Sequence, residues 1–183
     1  MKFQILIILS LLSQGLFAQG HYEEIKKWQS NLNEEYADPE KSPLNEEDLE
    51  NFEGLDFFTI NDSFRFEAKF TRTFDQKPFK MPTSTDRLPV YEKYGTVEFS
   101  FKGDEYTLNV YQSHDLRKTE EYKDYLFLPF TDATNGDETY GGGRYLSLSI
   151  PESDTMIIDF NKAYNPYCAY NNRYSCPIPP KEN

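Results

Sequence analysis

Val97-Glu-Phe-Ser-Phe-Lys-Gly-Asp-Glu-Tyr-Thr-Leu-Asn-Val110 alternates apolar and polar residues on both sides of a turn. With the turn centred on Gly103-Asp104, Lys102 pairs with Glu105, Phe101 with Tyr106, Phe99 with Leu108 and Val97 with Val110. Ser100–Thr107 and Glu98–Asn109 pair on the other face. Apolar side chains meet apolar ones and opposite charges flank the turn, the signature of an antiparallel hairpin with one face buried.

Outward from this hairpin the period of two continues. Phe64, Phe66, Ala68 and Phe70 alternate with Arg65, Glu67, Lys69 and Thr71, which predicts a strand. A second hairpin is expected over residues 151–155, pairing Ile150 with Met156, Leu148 with Ile158 and Leu146 with Phe160. Further strands are expected at 90–94, 125–130 and 166–171. Short strands separated by turn signals predict a mainly β fold, a six- to eight-stranded antiparallel barrel or sandwich.

Upstream the period is helical. Tyr22, Ile25, Trp28, Leu32 and Tyr36 are spaced for one face of a helix that ends at Asp38-Pro39. Ser42-Pro43 can cap and start a second helix, with Leu44, Leu49 and Phe52 inward and Gly54 closing it. Residues 19–62 carry 13 acidic residues against Lys26, Lys27 and Lys41, whereas residues 63–183 carry 18 acidic and 15 basic ones. The net charge of −12 is therefore concentrated in an N-terminal helical collar, which reads as a solvated face. It argues against a nucleic-acid partner, which needs clustered Lys and Arg. The 29 Phe and Tyr exclude a disordered chain.

Residues 1–18 read MKFQILIILSLLSQGLFA: a basic start, an apolar run broken by polar residues, and a small residue at the end. This is the pattern of a secretory signal peptide, too short and too interrupted for a membrane span. The expected organisation is a signal peptide (1–18), an acidic helical collar (19–54) and a β domain (55–183) forming one globular unit with it. The mature chain is expected to be periplasmic or secreted, with no membrane span after cleavage. Its oligomeric state is left open.

Two motif-rich stretches stand apart: Pro129-Phe-Thr-Asp-Ala-Thr-Asn-Gly-Asp-Glu-Thr-Tyr-Gly-Gly-Gly-Arg-Tyr145 and Asp159-Phe-Asn-Lys-Ala-Tyr-Asn-Pro-Tyr-Cys-Ala-Tyr-Asn-Asn-Arg-Tyr-Ser-Cys-Pro-Ile-Pro-Pro180, the latter followed by Lys-Glu-Asn183. Together with Ser-Pro-Leu at 42–44 and Phe-x-Gly-Leu at 52–55, they resemble the bacterial domain-of-unknown-function family numbered 1684. The resemblance covers most of the mature chain. It implies no activity, because the family has none established.

The chemistry of the motifs can still be read. The Gly141–Gly143 run suits either a bulge entering a strand or a backbone cradle beside Arg144. No Lys-Ser/Thr follows it, which excludes a Walker-type phosphate loop. Asp132, Asp137 and Glu138 suit a solvated turn better than a cation site, because their spacing is not that of a calcium loop. Arg144 is expected to pair with Asp159, Asp132 or Glu138, or to hold an anionic group in its planar fork. Asn161, Tyr164, Asn165, Tyr167 and Tyr170 suit either a pocket for a polar ligand or a segment packed over a barrel mouth.

Cys168 and Cys176 are the only cysteines, and in an exported chain they suggest a disulfide. The resemblance keeps a free pair open, since similar proteins without export signals carry the same two cysteines. With His21 and His114 as the only histidines, no metal site or cofactor is expected. Ser113-His114-Asp115 holds the residue types of a hydrolase triad, but adjacent residues cannot assemble one.

The expected function is binding of a small polar or anionic ligand, without catalysis. The candidate site is Asp132, Glu138, Tyr140, Arg144, Asp159, Asn161, Tyr164 and Asn165. A hydrolase of polar substrates such as glycans, using two of Asp132, Glu138 and Asp159 as acid and base, is the alternative. A structural or partner-binding module is the third reading.

Overall fold

The computed structural model describes residues 19–183 with their side chains; the expected signal peptide, residues 1–18, lies outside the described residues. Seven antiparallel strands form one sheet curled into a half-barrel: β1 (Arg65–Arg72), β2 (Phe79–Lys80), β3 (Val90–Phe101), β4 (Asp104–Ser113), β5 (Tyr125–Phe130), β6 (Arg144–Ser149) and β7 (Thr155–Asp159). The strand order is β6-β5-β4-β3-β1-β7, with β2 added beside the first half of β3. Among the described residues, no helix is long and apolar enough to cross a membrane.

The β3–β4 hairpin forms, but its register is offset by two residues from the sequence expectation. Phe99 faces Tyr106, Val97 faces Leu108 and Phe101 faces Asp104. The turn is centred on Lys102-Gly103, both at positive φ (53° and 93°). That pair of left-handed residues makes the two-residue turn whose twist matches the strands. An even offset leaves every side chain on its expected face, so Phe99 still stacks on Tyr106, with rings 5.6 Å apart. The expected strand at 90–94 is continuous with the hairpin and joins it through a register shift between Lys93 and Gly95.

The second expected hairpin does not form. β6 pairs with β5, and β7 pairs with β1, at opposite edges of the sheet. The reason they remain neighbours in space is the short link between them. The Ile150 amide bonds the Asp124 carbonyl on one side, and the Phe70 amide bonds the Asp154 carbonyl on the other. Four Cα steps span at most about 14 Å, whereas six flat strands would be about 24 Å across. The sheet must therefore curl. Leu126, Leu128 and Leu146 from one end then meet Ala68, Met156 and Ile158 from the other in a single core, with Val97 and Val110 between.

A second buried cluster, Met81, Tyr91, Tyr111, Phe127, Tyr145 and Cys176, lies on the sheet's other face, where Tyr164, Tyr167 and Tyr174 cover it. The expected strand at 166–171 is instead a 3-10 turn over Tyr167–Ala169. Pro166 cannot donate to a ladder, and Tyr167 and Tyr170 turn towards Tyr36, at 6.1 and 5.3 Å.

Tyr36 lies on helix α1, which over the described residues runs from 19 to 37 and ends before Asp38-Pro39 as expected. Of its expected stripe, Ile25 and Tyr36 are buried and Trp28 and Leu32 half-buried, but Tyr22 is 49% exposed; His21 points inward in its place, and Gln29 is buried as well. The short helix α2 (Glu46–Glu50) is capped by Asn45, whose side chain accepts from the Asp48 amide, not by Ser42. Ser42 is buried, and its Oγ accepts the Leu44 amide, which uses it in a local turn.

β4 and β5 pair directly only at Tyr111 and Phe127. Beyond that point the Asn183 side chain bridges them: Oδ1 accepts the Asn109 amide (2.8 Å), and Nδ2 donates to the Asn109 and Pro129 carbonyls (2.9 and 2.8 Å). Asn183→Ala strands these groups, a cost of about 1–3 kcal/mol that a denaturant titration measures. Asn183→Asp is not expected to rescue, since a carboxylate cannot donate to the two carbonyls.

Candidate functional site

Arg144 opens β6 and is 9% exposed. Its Nη2 donates to Asp132 Oδ2 at 2.5 Å. The guanidinium carbon lies 5.4 Å from the ring centres of both Phe58 and Phe130, so the charged group sits against two aromatic rings. Its Nε is buried and has no hydrogen-bond partner among the described residues. Phe58 is 50% exposed and belongs to the extended strap, residues 55–61, that leads into β1.

Asp132 is held by the turn that follows β5. Its Oδ1 accepts from the Thr134 amide and hydroxyl, and its own amide donates to Asn135. Partial burial works against its charged form, but the hydrogen bonds from Thr134 and Arg144 and the charge of Arg144 prevail and lower its pKa. The Asp132–Glu138 stretch is thus a hydrogen-bonded turn, with the Glu138 amide on the Thr134 carbonyl and its side chain exposed. Of the three acids expected to reach Arg144, Asp132 takes that place.

Close packing accounts for Gly143 in the Gly run. Gly143 has φ +90°, and a Cβ there would lie 2.6 Å from the Phe130 carbonyl oxygen and 2.7 Å from Pro179. Pro179 therefore presses on the backbone beside Arg144, leaving space only for glycine.

Asp159, at the end of β7, faces away from Arg144. Its Oδ2 meets His21 Nε2 at 2.7 Å, and its Oδ1 accepts the amide and side chain of Asn161 (3.0 and 2.7 Å). His21 Nδ1 meets Asp62 Oδ1 at 2.5 Å on its other side. Burial opposes the charged imidazole, but the hydrogen bonds to Asp159 and Asp62 and their negative charges prevail and raise its pKa. Asn161 also clasps the strap, accepting the Asn61 amide (2.8 Å) and donating to its carbonyl (3.0 Å).

The remaining candidates frame these groups. Asn165 accepts the Tyr140 amide at 3.3 Å. The Tyr164 hydroxyl shares a hydrogen bond with Ser147, and its backbone bridges Tyr145. Cys168 and Cys176 are neighbours but free thiols, so the expected disulfide is absent. Cys176 Sγ accepts the Cys168 amide at 3.1 Å, while Cys168 Sγ turns to the Tyr140 hydroxyl at 3.9 Å. Burial, with the adjoining Cys168, pushes the Cys176 thiol up to about 12. His114 pairs with Glu92 at 2.8 Å, which also holds Arg117 and Arg72.

Phe130, edge-on to Phe160 at 5.1 Å, separates the Arg144–Asp132 pair from the His21–Asp159 group. Of the eight candidates, Asp132 and Arg144 form one centre and Asp159 and Asn161 belong to the other, whereas Glu138, Tyr140, Tyr164 and Asn165 make no side-chain hydrogen bond to either among the described residues. His21, Asp62 and Phe58 were not among the eight. One sequence signal for His21 existed: with Ile25, Trp28 and Leu32 it shares a stripe of spacing four, three and four.

Because the folded Asp132 pKa is depressed, its contribution to stability is present above the ordinary aspartate range and is lost as pH falls through the folded value. Asp132→Asn should therefore flatten the acid limb of a stability-against-pH curve below about pH 4, measured by urea midpoints, relative to the wild type.

No curated protein matches this chain. The solution structure of an uncharacterised protein from Haloarcula marismortui is similar over 91% of this chain and 89% of that one, at 30% identity and a TM-score of 0.69. A family model described as "protein of unknown function (DUF1684)" matches residues 50–183, which span β1 to β7, the strap and both motif-rich stretches. The chain belongs to the DUF1684 family.

Proposed function

We propose that this protein is an exported, non-catalytic domain that binds a small polar or anionic ligand at Arg144. The observation that carries the reading is the unpartnered Nε of a buried guanidinium already oriented by Asp132. A buried donor without a partner costs about 1–3 kcal/mol, and a ligand oxygen bound there recovers that cost. The fork geometry suits a carboxylate or another planar oxygen pair. Phe58, half exposed over the guanidinium, is the side of the site that can move aside. Asn165, Asn161 and Tyr164 brace the surrounding backbone. The export part rests on the sequence of residues 1–18 and the acidic segment that follows.

Glycan hydrolysis finds less support. Asp132 is held ionised by Arg144 and Thr134, which leaves it no proton to give near neutral pH. Asp159 is occupied by His21 and Asn161.

A thermal-shift screen against monocarboxylates, sugar acids, phosphate and neutral sugars tests the reading. At about one hundred times Kd, a binder is expected to raise Tm by roughly 5 °C or more in the wild type. The shift should vanish in Arg144→Ala and shrink in Arg144→Lys, which keeps the charge without the fork. Phe58→Ala keeps the guanidinium and should retain binding. If no compound shifts the wild type more than the Arg144 variants, the site does not bind these ligands and the reading fails.

A further inference from the structure

His21 joins three segments that are far apart in sequence. It lies on α1, Asp62 follows the strap, and Asp159 ends β7. The His21 and Asp159 side chains are 9% and 7% exposed, whereas Asp62 is 59% exposed. The clamp is thus rooted in the core on one side and open to solvent on the other. The strap it secures carries Phe58, the ring over Arg144.

The strap is otherwise fastened only near its ends. Its hydrogen bonds to distant segments, among the described residues, are those of Leu55 to Asn33 and of Asn61 to Asn161; Asn61 also accepts the Ser63 and Phe64 amides locally. Between Leu55 and Asn61, Phe57 rests edge-on against Trp28 of α1. A solvent-open cavity of about 380 Å³ is lined by Tyr22, Thr59, Ile60, Asn61 and Asp62. Thr59 and Asp62 are exposed and Ile60 is half-buried, so besides the His21 clamp this end of the strap is held mainly by the Asn161 clasp on Asn61, which is itself bonded to Asp159.

We propose that His21 is a latch: its charged ring, clamped between Asp62 and Asp159, holds the strap closed over Arg144, and loss of its proton frees the strap. A neutral imidazole can donate to one carboxylate only, and its other nitrogen then presents a lone pair to the second. The charged groups nearby are Glu24, one helical turn further along α1, Lys162, which pairs with Glu24 at 2.5 Å, and Arg65, which pairs in register with Asp159. Lys162 neutralises Glu24, so the two carboxylates in contact with the ring dominate its environment.

The sign follows from the raised pKa of His21. Clamping is complete at and below the ordinary histidine range and is lost as pH rises through the folded value. The latch is therefore shut in mildly acidic solution and opens as pH rises through that raised value. The part concerning ligand access rests on Arg144 being the binding group; the latch itself does not.

The test needs no ligand. In the full chain, hydrogen exchange of the Asn61, Ser63 and Phe64 amides, which are hydrogen-bonded at the latched end of the strap, corrected for intrinsic rates, should be at least about tenfold faster at pH 9 than at pH 6. In His21→Gln and in Asp62→Asn the exchange should be fast at both values, with β3 and β4 amides still protected. Asp62 is exposed, so its variant decides the matter if His21→Gln does not fold. At pH 7, phenylglyoxal should modify Arg144 several-fold faster in Asp62→Asn than in the wild type. Strap exchange in the wild type that is the same at both pH values, or unchanged in Asp62→Asn, overturns the latch. A pH-dependent strap with an unchanged Arg144 modification rate removes its control of the site. A working latch without any ligand in the thermal screen overturns only the binding reading.

Discussion

The short connection between β6 and β7 is the constraint on which the rest of the structure depends. Its two ends are hydrogen-bonded to opposite sides of the sheet, at Asp124 and Phe70, with only three residues left to cross. No flat sheet satisfies that distance, so the curl is imposed by covalent reach rather than by preference of any one strand. The curl gathers apolar residues of the edge strands into one core. It also places the first residue of β6, Arg144, and the last residue of β7, Asp159, near a common end of the half-barrel, separated by Phe130 and Phe160.

A curled sheet with two free edges needs polar groups to complete it. Side-chain amides supply many of them. Asn183 closes the gap between β4 and β5, and Asn161 clasps the backbone of Asn61 as a strand would. Tyr164 adds a backbone bridge to β6 at Tyr145, whose hydroxyl donates to the Pro177 carbonyl. Most of the Asn- and Tyr-rich C-terminal stretch is therefore engaged in holding the fold, and Gly143 before β6 gives space to Pro179. Arg144 stands out because part of its donor capacity is left over.

Electrostatics divides along the same line. The acidic collar is largely exposed and contributes little to stability pair by pair. His21 is the exception among the charged groups of that helix: its side chain, 9% exposed, draws Asp62 and Asp159 together. The Glu92 cluster, with His114, Arg72 and Arg117, repeats the theme across β1, β3 and the turn after β4, with a carboxylate satisfied by several cations.

The mainly β class, the strands at 65–72, 97–101, 104–110 and 125–130 and the end of α1 before Asp38-Pro39 were legible in the sequence, because side-chain periodicity and the restriction before Pro are local properties of the chain. The Asp132–Arg144 pair was among the expected options, as both residues lie in one motif. Register, edge pairing and the choice among those options were not legible. Leu146, Leu148, Met156 and Ile158 alternate equally well for a hairpin and for two strands at opposite edges of one core, and only the hydrogen bonds of Asp124, Phe70 and Asp154 separate the two. The disulfide likewise looked equivalent to two thiols until the Cys168 amide and Tyr140 hydroxyl were placed. His21, Asp62 and Phe58 carry no motif, since their roles come from contacts across 41 and 138 residues of chain. By itself the sequence determined periodicity, burial faces and charge distribution, all of which are short-range. The tertiary structure alone decided which edges meet, which acid holds Arg144 and where the one inward histidine finds its partners, because those depend on distances that the chain sets only when the sheet has curled.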